Sequence, residues 1–170
     1  MAFITQKPSS PQKPVQNSDR IAQTDMVKRA KIKEGLCQLT DYYKDELGYL
    51  SEKCEEGLKY FYQKTNVQPV VLTMDISKVS DYDDHEELNQ LYGEMFEDEA
   101  HFLFIIFGNQ EGTVDWEYSY IAGSDAVSVM DDDAVDTLFQ YVDDYYYDSN
   151  ASDDELVSNS FRDAADHIMK

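Results

Sequence analysis

The chain has 170 residues, of which 42% are hydrophobic and 13% aromatic, and it carries a formal net charge of −21. That length and apolar content suit one packed domain rather than a disordered polyanion. The charge argues against a surface that holds phosphate backbones or anionic headgroups, and points to cations or basic protein patches as partners.

The charge is also unevenly placed. Residues 1–33 sum to +5 and residues 34–170 to −26, and the 83 residues from Val79 to Phe161 hold 23 Asp and Glu with no Lys or Arg. Most of these carboxylates therefore have no counter-ion nearby in sequence. They must be solvated, cap helices or bind a cation. Residues 1–36 read as a basic, proline-containing tether in which residues 19–36 carry a weak pattern for a basic helix, with a membrane-proximal or partner-binding basic segment as the other reading, and residues 37–170 read as the domain. No stretch approaches the roughly 20 apolar residues that span a bilayer, and the start of the chain lacks the apolar centre of a signal peptide. Cys37 and Cys54 are too few for a disulfide framework and lack metal-ligand spacing with a histidine; one bridge or two free thiols both fit.

The elements follow in order. Ser51 is a good N-cap, and Cys54, Leu58, Phe61 and Tyr62 fall on one face of a helix that Asn66 ends. Gln68–Asp75 is an apolar strand with Pro69 near its start. A second helix over about 84–97 buries Leu88, Leu91, Tyr92, Met95 and Phe96. The run from His101 to Phe107 is apolar without alternation, as a central strand covered on both faces requires. After a turn at residues 108–112, Val114, Trp116, Tyr118 and Tyr120 alternate with polar residues through Ile121, which predicts a strand with one wetter face. Ala126–Met130 is expected to add a short fourth strand. Helices over about 132–147 and 153–169 close the chain, and one or more of Tyr145, Tyr146 and Tyr147 belong to the core. The order α-β-α-β-β-α-α predicts an α/β fold, a three-layer α/β/α sandwich around a small mixed sheet of about four strands.

Carboxylates carry the candidate chemistry. Asp75 ends the first long strand, where ligands of open α/β sheets gather, and Asp131, Asp132 and Asp133 precede a helix. Asp81, Asp83 and Asp84 lie in the loop after that strand. Oxygen ligands brought together in this way suit Ca²⁺ or Mg²⁺. Helix capping is the competing role for Asp131–Asp133, and a solvated loop for Asp81–Asp84. Asp131-Asp132-Asp133-Ala134-Val135 also fits the D-x-D-x-[TV] pattern of aspartate-nucleophile phosphatases, yet phosphoryl transfer wants a cation clamp that the surrounding stretch lacks. His101 is expected to be a satisfied structural histidine rather than a base. The run from Asp148 lacks the glycine and twelfth-position Glu of an EF-hand.

Four segments together resemble the TPM domain family of the Firmicutes type: TDYYKDELGYLSEKCEEGLKYFYQKTNVQPVVLTMD at 40–75, FEDEAHFLFIIF at 96–107, AGSDAVSVMDDDAVDTLFQYVDDYYYD at 122–148 and ELVSNSFRDAADHIM at 155–169. The resemblance implies the same α/β/α sandwich, a place outside the cytoplasm, and a parent chain anchored through a membrane-spanning segment not present in these 170 residues. It implies divalent-cation binding through aspartates at one edge of the sheet, carried here to Asp75, Asp131, Asp132 and Asp133. It also keeps a metal-dependent acid phosphatase as an alternative. The expected role is a non-catalytic, cation-binding module that presents an acidic surface to a basic protein partner and does not bind nucleic acid. A purely structural assembly domain is the third reading.

Overall fold

The computed structural model describes residues 29–148 and 150–169. Four strands form one sheet in the order β1 (Tyr43–Asp45), β2 (Gln68–Asp75), β3 (His101–Gly108) and β4 (Glu117–Ala122). The first three are parallel and β4 runs antiparallel to β3. Helix α1 (Glu55–Thr65) links β1 to β2, and α2 (His85–Met95) links β2 to β3. Helices α3 (Asp132–Tyr146) and α4 (Asp153–Ile168) follow the sheet. This is the α/β sandwich with a four-stranded mixed sheet that the element order predicts.

Alternation along the strands divides the core. Val71, Phe102, Phe104, Ile106, Tyr118 and Tyr120 point to the layer made by α1, α3 and α4. Val70, Leu72, Leu103, Ile105, Phe107 and Ile121 point to α2 and to the 3₁₀ helix Ile76–Tyr82. All eight residues of β3 are buried, so the unbroken apolar run of the sequence is a strand roofed on both faces. Phe161 of α4 makes edge contacts with Phe61, Phe102 and Phe104, which ties two helices to the central strand through one ring.

Strands β1, β2 and β3 step one way across the sheet, yet α1 covers one face and α2 the other. The two crossovers therefore have opposite hands, and one of them departs from the right-handed rule for parallel strands.

Three sequence expectations need correction. Ala126–Met130 is a series of turns, anchored by Ala126 N–H to Glu99 O and by Met130 N–H to Ala126 O, and the fourth strand is β1. The second face of β4 is covered by α2, so Ser119 is fully buried rather than wet. The packed unit also begins before residue 37. Ile32 is buried, its N–H donates to Thr65 O and its carbonyl accepts from Asn66 Nδ2. Residues 29–36 are irregular and turned rather than helical, and the rest of the tether and basic-helix readings falls on residues 1–28, outside the described residues.

Helices α1 and α4 approach closely at Gly57, whose N–H donates to Ser158 Oγ at 2.9 Å. A Cβ at position 57 would stand 1.8 Å from the Ser158 carbonyl oxygen, a backbone atom that cannot swing aside. Gly57→Ala is expected to cost about 3 kcal/mol of stability, the upper range for overpacking a core. Urea denaturation of the two proteins measures this, and an unchanged midpoint would contradict the close packing.

Candidate functional site

Two polar residues open two adjacent buried strands. Gln68 starts β2, His101 starts β3, and the register places them side by side. Both are fully buried, so each must find its hydrogen bonds inside the protein. Gln68 finds them on the segment leading to β1: Thr40 N–H donates to Oε1 at 2.9 Å and Gln68 Nε2 donates to Thr40 O at 2.8 Å. These two bonds fix which end of the amide is oxygen. That oxygen lies 2.9 Å from His101 Nε2.

The other ring nitrogen, Nδ1, lies 2.8 Å from Asp98 Oδ1. Asp98 is held by the backbone in turn, accepting from Ala100 N–H on Oδ1 and from Gln38 N–H on Oδ2 at 2.6 Å. Burial works against its charge, but the Gln38 and Ala100 N–H groups, followed by His101, leave its pKa below the ordinary value. Phe96 stacks on the imidazole at 4.0 Å between ring centres. Cys37 completes the group, with Sγ 3.9 Å from Nε2. One ligand atom each from Cys37, Asp98 and His101 falls within 4.8 Å of the others.

The chemistry of this group follows from its surroundings. Cys37 and Cys54 are both free thiols, which decides the question left open by the sequence. Burial, then Asp98, pushes the Cys37 thiol up to about 11, so it is protonated near neutral pH and a poor nucleophile. The linear order Asp98–His101–Cys37 looks like a hydrolytic triad, yet the nearer neighbour of Nε2 is the Gln68 oxygen, not sulfur. Burial lowers the His101 pKa, with Asp98 opposing. A neutral ring keeps its hydrogen on Nδ1, facing the Asp98 carboxylate, and its bare Nε2 then faces another lone pair on Gln68. The ring is therefore placed as an acceptor site for a cation rather than as a general base beside a thiolate.

The carboxylates singled out in the sequence go elsewhere. Asp75 stands at the carboxyl end of β2, exposed, where Oδ1 accepts from Ser77 N–H and caps the 3₁₀ helix; that bond is the main reason its pKa falls. Asp131 is the N-cap of α3, accepting from Ala134 N–H at 3.0 Å. Its two oxygens also take a bidentate pair from Arg29, at 2.7 and 2.8 Å to Nη2, with the arginine side chain 4% exposed. Asp132 and Asp133 lie in the first turn of α3. Because β4 is antiparallel, the chain leaves it at the end of the sheet where β2 and β3 begin, and α3 starts there. Asp75 is at the far end of the eight-residue β2, roughly 23 Å along the strand. The expected meeting of Asp75 with Asp131–Asp133 is corrected: the antiparallel last strand separates them. Asp84 caps α2 through Glu86 N–H, and Asp81 lines a cleft of about 160 Å³ with Tyr82, Glu87, Gln90, Leu91 and Glu94.

At the far end of α3, Asp143 and Tyr118 each leave a buried oxygen without a hydrogen-bond partner among the described residues. Burial, then Asp144, raises the Asp143 pKa to about 6.

No family model matches the chain, and no match is found among the curated proteins or the solved structures.

The Asp143 carboxyl titrates about 6 in the fold and in the ordinary carboxylate range when unfolded, so the native state prefers its protonated form. Its ionisation destabilises the protein above pH 6, and this penalty disappears as pH falls below the ordinary range. Asp143→Asn is expected to raise Tm by several degrees at pH 8 and to leave it unchanged at pH 3. Thermal melts at the two pH values check the sign, and an equal effect at both would show that charge is not the cause.

Proposed function

We propose that this domain is a non-catalytic binding module whose acidic face docks a cationic segment of a protein partner. The observation that carries the reading is the cleft between the 3₁₀ helix and α2. Asp81, Glu87 and Glu94 bring three carboxylates to it, and Tyr82 and Leu91 add apolar surface. A Lys or Arg side chain has matching chemistry, an apolar stem and a cationic head. Glu87, Gln90, Leu91 and Glu94 follow helical spacing on α2, so the cleft continues as a stripe along one helix. Residues 79–161 contain no Lys or Arg, so α2 itself carries neither.

The likeness of four segments to TPM domains supports a place outside the cytoplasm and a parent chain tethered to a membrane as parts of the same proposal. The phosphatase alternative is less favoured. Arg29 does supply a cation beside Asp131, but it is buried and committed to both carboxylate oxygens, so its charge is taken by Asp131 rather than offered to a phosphate.

Fluorescence anisotropy with a labelled oligolysine peptide tests the docking role. Glu87→Gln/Glu94→Gln is expected to weaken binding about threefold, as two exposed charges allow, and added salt is expected to weaken the wild type further. Asp132→Asn/Asp133→Asn removes the same charge from another part of the molecule and serves as the control. Equal losses in the two double variants would reduce the interaction to net charge and overturn the cleft as its site.

A further inference from the structure

The Cys37–His101 group gathers sulfur and oxygen atoms around one ring nitrogen. A structural hydrogen-bond hub needs Gln68, Thr40, Asp98 and His101, whose mutual bonds hold the segment before β1 against the starts of β2 and β3. The thiol 3.9 Å from the ring nitrogen serves such a hub as a weak donor, and once deprotonated it is also a strong ligand for a soft or borderline metal ion. Around Nε2 the potential donors stand at related distances: Cys37 Sγ at 3.9 Å, Thr40 Oγ1 at 3.5 Å and Gln68 Oε1 at 2.9 Å, with the two oxygens 3.4 Å apart. Ligands bound 2.0–2.3 Å from a tetrahedral zinc ion stand roughly 3.3–3.8 Å from one another. Small side-chain movements would bring this set into coordination range.

We propose that Cys37 Sγ, His101 Nε2 and Gln68 Oε1 form a binding site for a borderline transition-metal ion of the Zn²⁺ class, with Thr40 Oγ1 or water completing the shell. Sulfur and imidazole donors select such ions over the Ca²⁺ or Mg²⁺ suggested by the carboxylate pattern of the sequence. Asp98 is not a ligand in this arrangement. It holds Nδ1–H at 2.8 Å and so turns Nε2 toward the ion, the role carboxylates play behind metal-bound histidines. The Gln68 oxygen is held in place by Thr40 N–H, which leaves it a further lone pair for the ion. His101 is fully buried, while Cys37 is only half-buried and gives the ion a route from solvent. On binding, the thiol proton is released to solvent and the metal–sulfur bond takes its place. The site lies apart from the acidic cleft, and either proposal can fail without the other.

Titration of the reduced, chelator-treated 170-residue protein with Co²⁺ provides the test, because a thiolate ligand gives a sulfur-to-cobalt charge-transfer band that oxygen ligands do not. Wild type is expected to show the band, and Zn²⁺ to abolish it by displacement and to raise Tm. Cys37→Ser is expected to lose the band and to bind Zn²⁺ at least tenfold more weakly. Asp98→Asn is expected to keep the band with Zn²⁺ affinity reduced 10–100-fold, as loss of an orienting partner allows. Asp75→Asn is expected to behave as wild type. Circular dichroism of each variant checks that it is folded. No band and no Zn²⁺-induced shift in wild type at large metal excess would overturn the site. So would a band that survives in Cys37→Ser, since the thiolate would then be another one.

Discussion

Strand β3 offers neither face to water, and every residue from His101 to Gly108 is buried. Seven of those positions suit that environment without help. The eighth is a histidine at the start of the strand, and an imidazole with two polar nitrogens cannot be buried there unless both find partners. Asp98, three residues earlier, takes the Nδ1 hydrogen, and Nε2 is left among Gln68 Oε1 and the hydroxyl of Thr40 and thiol of Cys37. Those bonds draw in Gln38, Thr40 and Ala100, so the segment before β1, the start of β2 and the turn before β3 are fastened to a single ring. The same constraint that organises this end of the sheet brings Cys37 to the ring.

The large negative charge is less uniform in role than its magnitude suggests. Asp45 accepts from the N–H groups of Gly48, Tyr49 and Leu50 and from Thr73 Oγ1, holding the loop after β1. Asp154 accepts from both the N–H and the hydroxyl of Ser51. Asp75, Asp84 and Asp131 each cap a helix, and α4 begins with a capping box between Ser152 and Glu155. These carboxylates are absorbed by backbone donors, which is why they do not assemble into an oxygen-rich metal site. Glu87 and Glu94 on α2, by contrast, remain exposed to solvent.

Much of the architecture is legible in the sequence because long periodic elements carry their own signal. The four helices follow from apolar spacing and caps, and the unbroken apolar run from His101 to Phe107 announces a doubly covered strand. The three residues of β1 carry no pattern at all; only pairing of Tyr43–Asp45 with Val71–Thr73 makes them a strand. Ala126–Met130 reads as a strand because Ala126, Val129 and Met130 are buried, but turns can bury side chains as well. Ser119 reads as wet because alternation cannot reveal that α2 lies over the other face of β4. The Cys37–His101 contact spans 64 residues, and spacing rules that look for nearby cysteines and histidines pass over it. A usable signal was present nonetheless. Polar Gln68 and His101 each open an otherwise mainly apolar strand, with Asp98 three residues before the histidine, and two parallel strands in register would place them side by side.

The most direct measurement is the protonation of the His101 ring in the metal-free protein, read from long-range ¹H–¹⁵N correlations of its imidazole. Asp98 is expected to hold a hydrogen on Nδ1, in slow exchange with solvent because the ring is fully buried. A ring with a bare Nδ1 and its only hydrogen on Nε2 would mean that Asp98 does not orient it, and would contradict the arrangement on which the site depends.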